Sequence, residues 1–263
     1  MNKPNYRETA SRIFESVAST FAGLSVLALA GYAYHRYYKS LVLRKIEIAF
    51  QPGDPVLELA ERDGQLPDAI TEQYDHHHWI HREEQTKIDA IIDGSDRGHY
   101  HLLLGPKGTG KSSMILEAMR KIDGEGVSMF EAHADLEVMR IRLGKALNFE
   151  YHEDYIGSLF SIKGPRDTTA LLDIERAFNK LEKVALKRRR QIGKPCVLII
   201  NSCHLLRDDE DGRDFLELIQ QTAEQWAASN LVTVVLNSDD HVCSWRWMSG
   251  STANRSPSGY IIV

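Results

Sequence analysis

Between residues 100 and 236 short apolar runs alternate with longer stretches whose apolar positions recur every three or four residues. The runs in "HYHLLLG", "GVSMFEA", "VLIIN" and "LVTVVL" have the length and the aliphatic, partly β-branched content of buried strands. Between them, "KSSMILEAMRKID" and "HADLEVMRIRLGKALN" read as helices. A longer helix over 168–190 brings Leu171, Ile174, Phe178, Leu181 and Ala185 onto one face, and another over 213–228 does the same for Phe215, Ile219, Ala223 and Trp226. A short amphipathic helix in "WIHREEQTKIDAIID" precedes the first strand. Strands and helices in strict alternation imply a mainly parallel sheet covered on both faces, an α/β domain over 79–240.

Upstream the texture changes. Residues 16–34, "SVASTFAGLSVLALAGYAY", run without a charge and are apolar on every helical face. That length approaches the roughly 20 residues a helix needs to cross a bilayer, so a transmembrane helix is expected over 16–38 behind a flank at 1–15. Arg36, Lys39, Arg44 and Lys45 follow, with Tyr32, Tyr34, Tyr37 and Tyr38 where an interfacial aromatic belt would lie. A cleaved signal peptide ranks second, since "ALA" before Gly31 resembles a cleavage site while Glu8 and Glu15 do not suit its charged region. Residues 39–78 read as a linker, Pro-, Gly- and Asp-rich from 51, and 241–263 as an irregular tail ending in "YIIV", too short to assign. The expected location is a membrane crossed once, the mitochondrial inner membrane being the preferred one.

Composition adjusts this picture only modestly. Hydrophobic residues are 43% and charged residues 26%, as in ordinary globular proteins. A net charge of -5 supplies no overall basic field, so nucleic acid is not expected among the partners. Cys196, Cys203 and Cys243 lack metal-type spacing and read as reduced thiols. His76, His77 and His78 are consecutive and cannot easily converge on one ion, which favours a solvated loop. The basic run 187–190 closes a helix, where its dipole favours cations.

The chemistry lies in "GPKGTGKS", residues 105–112, which fits the Walker A pattern between a strand and a helix. Gly105, Gly108 and Gly110 let the loop, with Pro106, Lys107 and Thr109 between them, curl so that its N–H groups face a phosphate. Lys111 would meet the β- and γ-phosphates, Ser112 would offer a hydroxyl to Mg²⁺, and Ser113 continues the binding turn. ATP with Mg²⁺ is therefore the expected cofactor, and the fold class becomes a P-loop NTPase three-layer sandwich preceded by a transmembrane helix.

Taken with the "REEQ" helix start, the Walker A loop, a strand ending in the polar pair Asn201 and Ser202, and a last strand ending in Asn237, the chain resembles the AAA+ superfamily. The resemblance is to its origin-recognition-like and archaeal-ATPase-like branches, and also to fungal membrane-associated AAA-like proteins. It implies that "NSCHLL" stands where the family has a "DEAHLL"-type Walker B. Asn201 then takes the place of the Asp that holds the Mg²⁺ water shell, and Ser202 that of the catalytic Glu. Asn237 matches the sensor-1 position beside the γ-phosphate, and no arginine finger or helical lid is evident. Glu131 would lie at the sheet edge in this strand order, whereas Asp239 and Asp240 follow a strand that neighbours the Walker A strand. Asp208 to Asp211 read as a solvated turn and helix start. Three functions follow: a membrane-anchored nucleotide switch or slow ATPase, an active ATPase or chaperone motor that uses Asp239 or Asp240, and a membrane scaffold with structural nucleotide. Expected partners are ATP and a membrane, with self-association or a protein partner left open.

Overall fold

A computed structural model describes residues 6–53, 82–149, 151, 169–239 and 260–262, with side chains for all of these except 6–13 and 260–262. The chain divides into two compact units, Met1–Val42 with His152–Arg166, and Leu43–Tyr151 with Asp167–Val263. The expected linker beyond residue 53 with its three histidines, the "IKGPRD" loop, Asp240 and most of the tail lie outside the described residues.

The first element is a single helix of 43 residues, α1 (Tyr6–Ile48). Its stretch Phe14–Ile48 is long enough to cross a membrane and contains a window apolar enough to do so, with no residue of that window buried by protein. Phe21, Leu24, Leu27 and Leu29 stand exposed along it. The hydroxyls of Ser19 and Thr20 donate back to the Ser16 carbonyl at 2.9 and 2.8 Å, so these polar groups are satisfied within the helix, as a lipid environment requires.

The helix does not stop at 38. Residues 39–48, expected as linker, are helical because no breaker occurs before Pro52 and Gly53. Ile46 and Phe50 are fully buried in the second unit. Lys187 pairs with Glu47 at 2.6 Å, and the Gly126 N–H donates to the Phe50 carbonyl at 3.0 Å.

The second unit continues with α2 (Glu83–Ile92), β1 (His101–Leu104), α3 (Lys111–Lys121), β2 (Val127–Glu131), α4 (Leu136–Ala146), α5 (Ala170–Ile192), β3 (Cys196–Asn201), a short 3₁₀ turn (Cys203–Leu205), α6 (Glu210–Ser229), β4 (Val232–Ser238) and β5 (Tyr260–Ile262). The five strands lie in the order β2-β3-β4-β1-β5, and every neighbouring pair is parallel. Alternation splits the sheet. Leu103, Val127, Val197, Ile199 and Val235 pack against Ile88, Ile91, Met114, Ile115 and Met119 of α2 and α3. Helices α4, α5 and α6 pack against β2, β3 and β4, and Phe178 meets Trp226 edge-on at 5.5 Å where α5 touches α6.

Two further boundaries differ from the expected ones. The acidic turn is itself the first turn of α6: the Asp209 carboxylate accepts the Gly212 N–H at 2.9 Å, so the helix begins at Glu210, ahead of Arg213. Within the tail expected to be irregular, residues 260–262 form a strand, pairing Leu103 with Ile261 and Leu104 with Ile262. A three-residue strand has no periodicity to read; only its partner β1 defines it.

Candidate nucleotide-binding site

Parallel strands with helical crossovers leave a crevice at their carboxyl ends. There β1 pairs Leu103 with Asn237 of β4, while β3 lies on the far side of β4 and ends at Asn201. The loop 105–112 leaves β1 at this end. Gly108 and Gly110 adopt φ of +86° and +88°, and an added Cβ would meet nothing within 4 Å at either. Backbone conformation, not crowding, therefore demands glycine here. The Thr109 hydroxyl donates to the Pro106 carbonyl at 2.9 Å, holding the curl closed. Gly110 caps α3, whose first-turn N–H groups lack helical acceptors and suit an anion.

Lys111 is only 3% exposed. Its Nζ donates to the carbonyls of Gly105 at 2.7 Å and Pro106 at 2.9 Å, and it pairs with Asp239 Oδ1 at 2.9 Å. An ammonium has three N–H donors, so the loop and Asp239 together engage its full capacity. Lys107 and Ser113 are exposed to solvent.

Ser112, Asn201 and Asn237 form a closed triangle from three different elements. The Asn237 Nδ2 donates to Asn201 Oδ1 at 2.5 Å and to Ser112 Oγ at 3.2 Å, and the Ser112 hydroxyl lies 3.4 Å from Asn201 Oδ1. Asn237 Oδ1 is buried and has no protein partner among the described residues. Such an orphaned acceptor calls for a water or a ligand donor. Ser202 follows β3 with φ of +58°, turning the chain into the 3₁₀ segment, and its carbonyl accepts the Leu205 N–H.

Asp239 lies just past β4. Its N–H donates to His204 Nδ1 at 3.3 Å and its Oδ2 is 3.8 Å from His204 Nε2. The hydrogen bond from Lys111 holds the Asp239 carboxyl below the usual carboxylate range, with lesser help from the charges of Lys111, His204 and Lys107 and against partial burial. Glu131 ends the edge strand β2, and its carboxylate faces Arg142 at 3.7 Å. Asp208 pairs with Arg213 on the surface. Among the described residues no three His, Cys, Asp or Glu side chains are grouped to hold a metal ion.

The sequence does not disclose the Lys111–Asp239 pair or the contact of His204 with Asp239. Strand adjacency places Asp239 near the loop but cannot say which atom it meets. The position of His204, three residues past the end of β3, is the available signal.

No curated protein matches the chain by sequence. Solved structures resemble it at low identity. A Walker-type ATPase of Pyrococcus abyssi has 16% identity and a TM-score of 0.45 over 70% of this chain and 53% of its own. The Aeropyrum pernix ORC1 protein, in complex with DNA, has 14% identity and a TM-score of 0.46 over 75% and 47%. Cdc6p of Pyrobaculum aerophilum has 15% identity and a TM-score of 0.42 over 75% and 49%. The chain thus spans about half the length of these structures. The expectation of no nucleic-acid partner does not stand: the Aeropyrum protein is in complex with DNA, and a whole-chain net charge of -5 is silent about any local basic face. The AAA ATPase domain family matches residues 78–235, well over half of the sequence and the span from α2 into β4, and the chain belongs to that family.

Proposed function

We propose that this AAA ATPase domain binds ATP on a membrane-anchored chain and uses it as a conformational switch or hydrolyses it slowly. The observation that carries the proposal is the triangle of Ser112, Asn201 and Asn237 beside Lys111, a nucleotide site whose Walker B strand ends in neutral groups. The loop N–H groups and the α3 terminus would hold the β-phosphate, and Lys111 would bridge β- and γ-phosphates once released from the loop carbonyls. Ser112 Oγ and Asn201 Oδ1 are oxygen donors of the kind Mg²⁺ accepts, the second through water. When bound, Mg²⁺ would neutralise the phosphate charge. Asn201 orients without adding negative charge, and Ser202 lacks the basicity to draw a proton from water near neutral pH. Binding should therefore survive better than turnover.

The anchor in this reading is α1, supported by its length, its apolar surface and its internally satisfied hydroxyls. Nothing in the chain favours the mitochondrial inner membrane over another bilayer. A second reading, an active ATPase or motor, is favoured by one observation: Asp239 places a carboxylate at the loop. The test uses the full chain in detergent micelles, measuring nucleotide binding and phosphate release. Lys111→Ala should abolish binding, whereas Lys107→Ala, at an exposed position, should leave most of it. Equal effects would sink the assignment. Binding without turnover, with nucleotide-dependent protease protection, supports the switch; binding without altered protection supports a scaffold, self-associated or bound to a protein partner; fast turnover supports the motor.

A further inference from the structure

The Asp239 carboxylate paired with Lys111 has a use that the nucleotide-binding reading does not contain. In a P-loop the lysine meets the β- and γ-phosphates from one position. Here Asp239 Oδ1 already sits 2.9 Å from that ammonium. Lys111 is 3% exposed and the Asp239 side chain 29%, so the lysine is buried while the carboxylate stands at the open side of the site. Asp239 follows the last residue of β4, so its side chain can leave Lys111 without breaking a ladder hydrogen bond. Among the described residues, His204 and Lys107 also face it.

We infer that Asp239 is a specificity-determining residue that makes the site favour a nucleoside diphosphate over a triphosphate, by occupying the charge position that a γ-phosphate would need. The inference rests on the nucleotide-binding reading above. A diphosphate ends at the β-phosphate, which the loop N–H groups can hold while Lys111 keeps Asp239 as its second anion. A triphosphate brings its γ-oxygens to the same ammonium and against the carboxylate, so Asp239 must either leave Lys111 or share it with a like charge. The rest of the pocket offers little relief. Ser112, Asn201 and Asn237 are neutral and already bonded to one another, and the Asn237 Nδ2 donor is committed to two of those bonds. Rearranging this corner to admit the γ-phosphate falls on Asp239, which can turn toward His204 3.8 Å away.

The experiment measures fluorescent ADP and ATP binding to the full chain in detergent micelles, with and without Mg²⁺, and phosphate release from ATP alongside. The variants are Asp239→Asn, Asp239→Ser and the surface control Glu217→Gln. Native protein should prefer ADP. Both Asp239 variants should raise ATP affinity relative to ADP by about tenfold or more, the scale expected when a partly exposed like-charge contact is removed. Glu217→Gln should leave the ratio unchanged. Retained ADP binding shows that each variant is folded, and the two replacements, one isosteric and one smaller, must agree. A native preference for ATP overturns the inference, as does an unchanged ratio in variants that still bind ADP; in both cases nucleotide binding itself stands. Loss of phosphate release at unchanged affinities also overturns it and makes Asp239 the acid of the motor reading. A native chain that binds neither nucleotide removes both proposals together.

Discussion

Placing acids at the end of β3 is the sharpest perturbation of the site. The double variant Asn201→Asp with Ser202→Glu changes two neighbouring residues whose surroundings are defined. Asn201 Oδ1 accepts from Asn237 Nδ2 at 2.5 Å and lies 3.4 Å from Ser112 Oγ, so a carboxylate at 201 keeps both neighbours without moving the strand. A Mg²⁺ bound to Ser112 Oγ would stand about 4 Å from it through a water, where a unit charge pair is worth about 4 kcal/mol at an effective dielectric of ~20, and a dication about twice that. Asn201 is 9% exposed, so desolvating the new charge offsets several kcal/mol. A net gain of about 2 kcal/mol remains, or roughly 30-fold tighter Mg²⁺ binding. Ser202 already carries φ of +58°, so glutamate there adds no new kind of backbone strain. A positioned base is worth about 10²–10⁴-fold in rate, and the double variant should hydrolyse ATP at least about 100-fold faster than the native chain. The assay is steady-state phosphate release from the full chain across a Mg²⁺ titration, with Asn201→Asp alone separating metal affinity from water activation. Two results refute the reasoning: a double variant no faster than native at saturating Mg²⁺ and ATP, or a native rate near or above about 1 s⁻¹, a typical enzyme value, that survives Asp239→Ala.

Other expectations are simpler. Gly110→Ala forces a side chain onto φ of +88° at a cost of about 1–2 kcal/mol, so it should weaken nucleotide binding about tenfold in a titration while the melting temperature drops by only a few degrees. Phe50→Ala empties a fully buried site in the second unit and should cost about 3–5 kcal/mol in denaturant unfolding; deletion of residues 1–45, which spares Ile46 and Phe50, should free the protein from membranes and leave that domain folded. Burial pushes the Cys196 thiol up to about 12, with Arg188 opposing weakly, whereas an unfolded thiol ionises near ~8.5. A raised folded value stabilises fully below the unfolded one, so this contribution should decline as pH rises from about 8.5 towards about 12, and Cys196 should resist alkylation at pH 8 until the protein is denatured.

The strands and helices that carry their own periodicity are legible in the sequence. Val197 to Asn201 and Val232 to Leu236 have the composition of buried strands, and the apolar stripe of α5 needs no partner to be recognised. What escapes is decided by contacts distant in sequence. Residues 39–48 look like a linker because their charges hide the side on which Ile46 is buried. β5 is a strand only because β1 pairs with it. Strand order places Asn201 and Asn237 near the loop, yet the bond between them depends on side-chain geometry across two neighbouring strands. Likewise, an acid near the loop is foreseeable at Asp239, but its neutralising of Lys111 is not.

β5 also has a bearing on assembly. The strand that delivers the glycine-rich loop is flanked on one side by β4 and on the other, among the described residues, by the three of β5. Short edge strands bury their neighbour's backbone while offering little template of their own. Should that narrow cover detach, the amides and carbonyls of β1 at Leu102 to Leu104 would become an open rim beside the glycine-rich loop. The element most exposed to mispairing with a second chain would then be the one that shapes the anion cradle, so that loss of ligand capture and the onset of aggregation would share a single local opening.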